Sequence, residues 1–478
     1  MTHQPLDRDA ALIDAAGRLC DTVARIGGPG VPEAVAAARA ELSEPALRLA
    51  VVGRVKAGKS TLVNAVVGRR VAPTDEAECT RVVTQYRYGA PERGEIHLLD
   101  GTVEPFALEN GGLPRELSHS TEAISHVVVH LQQAVLRDLT LVDTPGLATT
   151  TAAHEAATRR ALLEAGLADA LVYVFRDVQR ADDVALLREY AQLTGRATGR
   201  PQGAGSIGVL SHADTFGEGP WGSDDPLEAA RAHAAEIAER RRAELGTVVP
   251  VSGRLAEIAL TGGVTERVTR DLAALADADD VDLRFPADDV AAQVDRVAAA
   301  VGDLALRHGR AAAQQGSRAL QAWMLERSHH RGLIRALQER YLGRTAPLKA
   351  RSAVQRLQTA ANAAGAPYAM AIHEAVSEAT GSAAMQPLEE LHAWEELHLH
   401  HPDHPAEREL DALLSPRGDA ARLALPAASA PEEVRAEARR RSVAARQGAA
   451  LATDRVLADA YRALSRSYGL IAARYAEG

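Results

Sequence analysis

The sequence predicts two architectures in series: an α/β domain with a mainly parallel sheet built on a phosphate-binding loop, then an elongated all-α helical bundle. Three observations carry this prediction. Gly53-Arg54-Val55-Lys56-Ala57-Gly58-Lys59-Ser60 fits the pattern G-x-x-x-x-G-K-[ST]. Strand-like and helix-like patterns alternate from residue 46 to about 255. Beyond about 256 almost no strand pattern remains.

The N-terminal residues 1–45 read as helices. Leu12, Ala16, Leu19, Val23 and Ile26 fall on one helical stripe, and Gly27-Gly28-Pro29-Gly30 stops it. A second short helix covers about 32–42. The α/β region 46–255 offers strands at 47–52, 82–88, 95–99, 138–142, 170–175, 206–210 and 247–251. Its helices fall near 60–67, 151–166, 181–193 and 226–244. Such sheets bind ligands at the carboxyl ends of their strands. The region 256–478 reads as helices at about 286–308, 313–343, 346–380, 383–399 and 430–475. In the last, Leu457, Tyr461, Leu464, Tyr468 and Ile471 alternate four and three apart, as in a coiled-coil seam. A helix of that length spans about 65 Å, which makes this part a stalk, a neck and a trunk. Its stripe shares a period with the N-terminal stripe and suits packing against it. Prolines at 402, 405, 416, 426 and 431 mark the segment 400–430 as a tip or turn. Leu410, Leu413, Leu414, Leu423 and Leu425 there either enter lipid headgroups or cover the stalk, and the second reading is preferred.

Composition narrows the function. The 478 residues are few in aromatics and carry a formal net charge of −10, which argues against a general nucleic-acid binder. Two cysteines, Cys20 and Cys79, have no pair spacing and fit a reducing cytosol. There is no signal-peptide pattern, and no run nears the ~18 apolar residues of a spanning helix. Membrane contact is then peripheral. His392, His398, His400, His401 and His404 crowd one stretch, but with no cysteine and with proline breaks they do not read as a metal site. The charged run 433–441 reads as a solvated helix face.

The chemistry starts at the loop. Leu47 to Val52 before it are apolar except for Arg48, and Thr61 to Val67 after it are helical. Backbone N–H groups of Gly53, Arg54, Val55, Lys56, Ala57, Gly58, Lys59, Ser60 and Thr61 therefore converge at a helix N-terminus, where phosphate binds. Only three lysines exist, Lys56, Lys59 and Lys349, and two of them lie here. Lys59 is expected to neutralise the β/γ-phosphates. Asp143-Thr144-Pro145-Gly146 follows an apolar strand about ninety residues after Gly53. Asp143 there can hold Mg²⁺ through water, and Gly146 can offer its N–H to a γ-phosphate. Thr80, just before a strand, is expected to complete the Mg²⁺ shell with Ser60, with Thr74 as competitor. Ser211-His212-Ala213-Asp214 follows another strand. A carboxylate at Asp214 accepts from guanine N1–H and the exocyclic amine, a donor pair adenine lacks, so GTP/GDP is the expected ligand. His212, where GTPases carry lysine, can stack on the base. Ser252-Gly253, ending the last strand, matches a loop whose backbone closes over the base.

These residues resemble the dynamin superfamily, particularly its bacterial members. The resemblance rests on the loop Gly53–Ser60, on Cys79-Thr80-Arg81 leading into a strand, on Asp143–Gly146, on Asp214 and on the helical C-terminal half. Ala350-Arg351-Ser352-Ala353-Val354 is similar to the actinobacterial branch. At the motif level it covers about 46–255. It implies a GTPase head that hydrolyses GTP with water as nucleophile, a head-to-head homodimer, higher homo-oligomers or a paralogous partner, and a trunk that touches lipid. It also implies a cytoplasmic protein peripheral at the inner face of the plasma membrane, remodelling or tethering membranes in division or membrane stress.

The sequence departs from the family at Val55 and Lys56, where dynamins usually carry glutamine and serine. Val55 cannot orient water, and Leu147 is also apolar, so slow hydrolysis is expected. Lys56 is the candidate to replace a monovalent cation, acting as an arginine finger does in cis. Two alternatives stand beside this reading: a slowly hydrolysing nucleotide-gated scaffold at the septum, and a ribosome-associated GTPase, which would need an RNA-binding appendage that the sequence after 256 does not suggest.

Overall fold

A computed structural model describes residues 8–73, 82–114, 116–145, 168–176 and 206–476. β1 (Leu47–Gly53) is buried at all seven positions, as a strand covered on both faces must be, and its apolar run reflects that. β2 (Thr84–Tyr88), β3 (Arg93–Leu98), β4 (Val103–Phe106), β5 (Ile124–Leu131), β6 (Leu139–Asp143), β7 (Ala170–Phe175), β8 (Ser206–Ser211) and β9 (Thr247–Val251) complete one sheet. Its strand order is β4-β3-β5-β2-β6-β1-β7-β8-β9. β1, β7, β8 and β9 are parallel to their neighbours along that side. On the other side β2 runs parallel to β5 but antiparallel to β6, and β3 is antiparallel to both β4 and β5.

All seven predicted strands are present, and the α/β class with a mainly parallel sheet holds. β4 and β5 were not expected. β4 carries Pro105 and is short, which places it correctly at the sheet edge, where a missing N–H costs nothing. β5 hides its Val127–Val129 core between His126 and His130. The predicted helices at 151–166 and 181–193 lie outside the described residues. The helix predicted at 226–244 runs Pro226–Arg240, with Asp225 accepting from the Leu227 N–H at 2.9 Å.

Two compact units divide the chain. One carries the sheet and the helices through Gln338. The other carries the N-terminal helices through Leu47 and the chain from Glu339 onward. Apart from Leu47, which opens β1, the regular structure of the second unit is helical among the described residues, as predicted, but its longest predicted helix is not one helix. Residues 430–475 form Pro431–Leu451 and Arg455–Arg474. Asp454 ends the run by capping the second helix, accepting from the Leu457 N–H at 3.0 Å. The two helices pack as a hairpin, with Ser442 donating to the Ser465 carbonyl at 2.8 Å and Ser465 donating back to the Ser442 carbonyl at 3.0 Å. Leu457, Leu464, Tyr468 and Ile471 are buried in this unit.

The helix Arg8–Ile26 buries Leu12, Ala16, Leu19 and Val23 as predicted. Its partners are the helices Val31–Ser43, Thr345–Ala364 and Tyr368–Thr380, which share one apolar core with it, rather than mainly the C-terminal hairpin. Leu410, Leu413, Leu414 and Leu423 are buried, and Leu425 is half-buried, so these leucines cover protein. The histidines there are engaged too: His398 lies 2.7 Å from Glu407 and 2.9 Å from Arg340, and His401 lies 2.9 Å from Asp454.

Arg48, the one charge in β1, is answered by Asp169 just before β7. The carboxylate accepts from the Arg48 backbone N–H at 2.8 Å and from its guanidinium at 2.6 and 3.3 Å. The Asp169 N–H donates back to the Arg48 carbonyl at 2.8 Å. Both side chains are nearly inaccessible. Asp169→Ala takes the carboxylate away from a buried guanidinium and is expected to cost about 3–5 kcal/mol, read as an earlier denaturant transition of the sheet unit.

Candidate nucleotide site

β1 delivers the chain to the loop at the carboxyl ends of the parallel strands. Gly53 must be glycine: a Cβ there would sit 2.2 Å from the Val174 carbonyl oxygen of β7. Gly58 has φ +90 and starts the helix Lys59–Val67, which buries Lys59, Leu62, Val63, Asn64, Ala65, Val66 and Val67. Val55 and Lys56 are exposed, and Lys56 holds a left-handed φ of +63. Arg54 is half-buried, Ala57 is buried, and Thr61 packs against Gly253.

The central contact joins two motifs. The Ser60 hydroxyl donates to Asp143 Oδ2 at 3.2 Å, across 83 residues of sequence. Asp143 Oδ1 is buried and has no hydrogen-bond partner among the described residues. Lys59 is buried and its ammonium donates to the Arg54 carbonyl at 3.1 Å. Burial lowers the Lys59 pKa, with Asp143 acting in the opposite sense. Burial likewise pushes Asp143 up to about 6, against Lys59, Ser60 and the Thr144 N–H. An orphaned carboxylate oxygen beside a hydroxyl is a hard donor pair and fits Mg²⁺. Ser60 and Asp143 would hold that ion, Asp143 through water. Thr144 fixes the arrangement by donating its hydroxyl to the Val51 carbonyl at 2.9 Å.

Ser211 ends β8 and donates to the Phe175 carbonyl at 2.9 Å. Its hydroxyl oxygen also lies 3.1 Å from His212 Nδ1. With the hydroxyl hydrogen given to Phe175, the proton of this second bond belongs to Nδ1. His212 has φ +56, and its ring lies against Gly58, where a Cβ would come within 3.3 Å of Cε1. Burial and then Arg176 lower its pKa, with Asp214 opposing. The neutral ring thus braces the phosphate loop against the loop after β8. Asp214 is half-buried in the turn Ala213–Thr215.

Ser252 is fully buried. Its hydroxyl accepts from the Leu255 N–H at 3.2 Å and caps the helix Gly253–Leu260, so its side chain serves that helix. Thr80, Thr74, Gly146 and Leu147 lie outside the described residues. Sequence reasoning missed Asn64. Its carbonyl accepts from the Val71 and Ala72 N–H groups, both at 2.8 Å, and its amide donates to the Ala72 carbonyl at 2.9 Å and to Glu257 at 2.8 Å. That uses its whole hydrogen-bonding capacity. The available signal was a polar residue inside the apolar run Leu62–Val67.

Residues 49–211 match the model of the dynamin family. The isoniazid-induced protein IniC of Mycobacterium tuberculosis is 38% identical over 238 residues, 48% of this chain and 46% of that protein. A bacterial dynamin-like protein of Nostoc punctiforme is 32% identical over 139 residues, 26% of this chain and 20% of that one. The chain thus spans less than half the length of each relative. Among solved structures, the LeoA bacterial dynamin GTPase from ETEC aligns over 92% of this chain and 56% of its own, at 14% identity and a TM-score of 0.34. A chain of an oligomerised bacterial dynamin pair, described as sensing and tethering membranes, aligns over 86% and 72%, at 14% identity and 0.33.

The raised Asp143 pKa sets a sign. The native state holds this proton more tightly than the unfolded chain, so the carboxyl contributes stability at low pH that is lost as pH rises through about 6. Asp143→Asn is therefore expected to raise the melting temperature of the nucleotide-free protein at pH 8, with the gain shrinking toward pH 4. The same change is expected to weaken Mg²⁺-dependent nucleotide binding roughly 10–100-fold, read by titration with a fluorescent nucleotide.

Proposed function

We propose, for a bacterial dynamin-like chain whose residues 49–211 are a dynamin-family domain, that it binds GTP with Mg²⁺, hydrolyses it, and couples the cycle to self-assembly on a membrane surface. The observation that carries this reading is the 3.2 Å contact of Ser60 with Asp143, which sets the phosphate loop and the metal carboxylate face to face. Lys59 leaves its loop carbonyl for the β/γ-phosphates. The loop N–H groups hold the phosphate chain, and Mg²⁺, which Ser60 and Asp143 would hold, would neutralise charge developing on the phosphates. Thr80 and Gly146 sense the γ-phosphate. Asp214 reads guanine, and His212 keeps that loop tied to Gly58. Water is the nucleophile.

Membrane contact is peripheral in this reading, at the cytoplasmic face. Among the described residues no helix is long and apolar enough to cross a bilayer. The domain boundaries 46–255 and 256–478, homodimerisation through the nucleotide-binding heads and a paralogous partner belong to the same proposal. Val55 favours a second reading. It is 42% exposed in the phosphate loop, with no group that can orient water, which suits a slowly hydrolysing, nucleotide-gated scaffold. Multiple-turnover assays with and without liposomes separate the two.

Purified protein is expected to prefer GTP to ATP. Lys59→Ala should abolish binding of either, and tight selective uptake of ATP would overturn the assignment. Asp214→Ala should cost about 1–3 kcal/mol of GTP affinity and leave inorganic phosphate competition unchanged. Turnover is expected to be the same in sodium and in potassium while Lys56 is present. A strong potassium requirement of the wild type would remove Lys56 from the cation role.

A further inference from the structure

We propose that Asn64 and Glu257 are a positioning pair that joins the phosphate end of the candidate site to its guanine end. The inference rests on the nucleotide reading above and deepens it, by naming what makes base and phosphates bind as one ligand. The helix Lys59–Val67 carries Ser60 at the phosphate end. The helix Gly253–Leu260 follows Ser252, and Ser252-Gly253 is the loop expected to close over the base. The two helices meet at two levels. At the first, a Cβ on Gly253 would come within 3.4 Å of Thr61 Cγ2. At the second, about one turn further along each helix, the Asn64 amide donates to Glu257 Oε1 at 2.8 Å. Asn64 is 1% exposed and Glu257 is 8% exposed.

Asn64 is a fixed point for this contact. Its carbonyl accepts from the Val71 and Ala72 N–H groups, and its other amide hydrogen goes to the Ala72 carbonyl at 2.9 Å. A buried amide with every position used cannot shift without losing a bond, whereas an apolar contact lets two helices slide. Glu257 is a demanding partner. Burial raises its pKa, and Asn64, then Arg70 and Arg254, act the other way. Arg70 is exposed and stands 4.0 Å from Oε1, so Asn64 is the buried donor that answers the carboxylate among the described residues.

Other parts of the site have their own ties to the phosphate loop. β6 is tied through Asp143 to Ser60, and the loop after β8 through His212 to Gly58. The pair supplies the matching tie for the loop after β9. With that distance set before a ligand arrives, contacts at the base add to contacts at the phosphates without a cost of ordering the loop. Breaking the pair therefore harms a ligand that uses both ends and spares one that uses the phosphate end alone.

The test is displacement of a fluorescent guanine nucleotide from the full chain by GTP, ATP and pyrophosphate, with Mg²⁺ present. Glu257→Ala is expected to weaken GTP about tenfold and to leave ATP and pyrophosphate within about twofold, so the preference for GTP falls with it. Glu257→Gln keeps an oxygen for the Asn64 amide and is expected to hold the wild-type preference. Asn64→Asp sets two carboxylates face to face and should lower the preference. Adding Glu257→Gln to Asn64→Asp reverses donor and acceptor and should restore most of it. Circular dichroism and thermal melting check folding.

An equal preference for GTP over ATP in Glu257→Ala and wild type would overturn the inference and leave the nucleotide reading standing. So would a loss of pyrophosphate binding as large as the loss of GTP, which would make the pair a tie for the fold alone. A double variant no better than Asn64→Asp would overturn it as well. Wild type with no preference for GTP ends the guanine reading and this inference with it.

Discussion

Everything at the candidate site depends on where β1 ends. The strand is held at both extremes by bonds from other parts of the chain. At its start, Arg48 and Asp169 lock it to the approach of β7 through four hydrogen bonds. At its finish, Thr144 donates to Val51, and Gly53 packs so closely on Val174 that no side chain fits. The phosphate loop therefore leaves the sheet from a fixed point. Ser60 meets Asp143 because β6 is tied to the same end of β1. A nucleotide site built from residues 83 apart in sequence needs such a clamp, since displacement of a catalytic group by even an ångström is costly.

Most of this was legible because the physical signals were local. A buried strand announces itself as an apolar run, and a phosphate loop as glycines at fixed offsets before a helix. The signals that failed were those in which one residue type serves two purposes. Asp454 sits in a helical run and reads as one more polar position, yet it caps a new helix and splits the predicted rod into a hairpin. β5 was lost because histidine at His126 and His130 dilutes its apolar core. Asn64 was lost because nothing in its neighbours says that a helix side chain reaches Val71, Ala72 and Glu257 at once.

The helical unit shows the same limit for charge. The run 433–441 was read as solvated, and Glu437 does pair with exposed Arg440 at 2.6 Å. Arg441, however, turns inward, donating to the Leu423 carbonyl at 2.8 Å and standing 5.8 Å from the Tyr468 ring centroid. Buried Arg344 pairs with Asp411 at the surface and lies 3.6 Å from the Trp394 ring centroid. Arg8 reaches the buried Glu390. A bundle rich in alanine and poor in aromatics has little bulk with which to define its packing. Interior ion pairs tie particular helices to particular partners, at a desolvation cost that apolar residues would not incur.

The same desolvation argument explains how the candidate site stays ready without a ligand. Lys59 and Asp143 are both enclosed, and burial acts against the charge on each. Neither charge is fully answered: Lys59 leans on the Arg54 carbonyl, and one oxygen of Asp143 has no hydrogen-bond partner among the described residues. In the reading proposed above, a triphosphate would supply an anion to Lys59, and a divalent cation would supply positive charge to Asp143. Each alone would leave the other group uncompensated in a low-dielectric pocket. Nucleotide and metal should therefore enter together, and the free energy released on binding is partly the relief of an electrostatic cost already built into the fold.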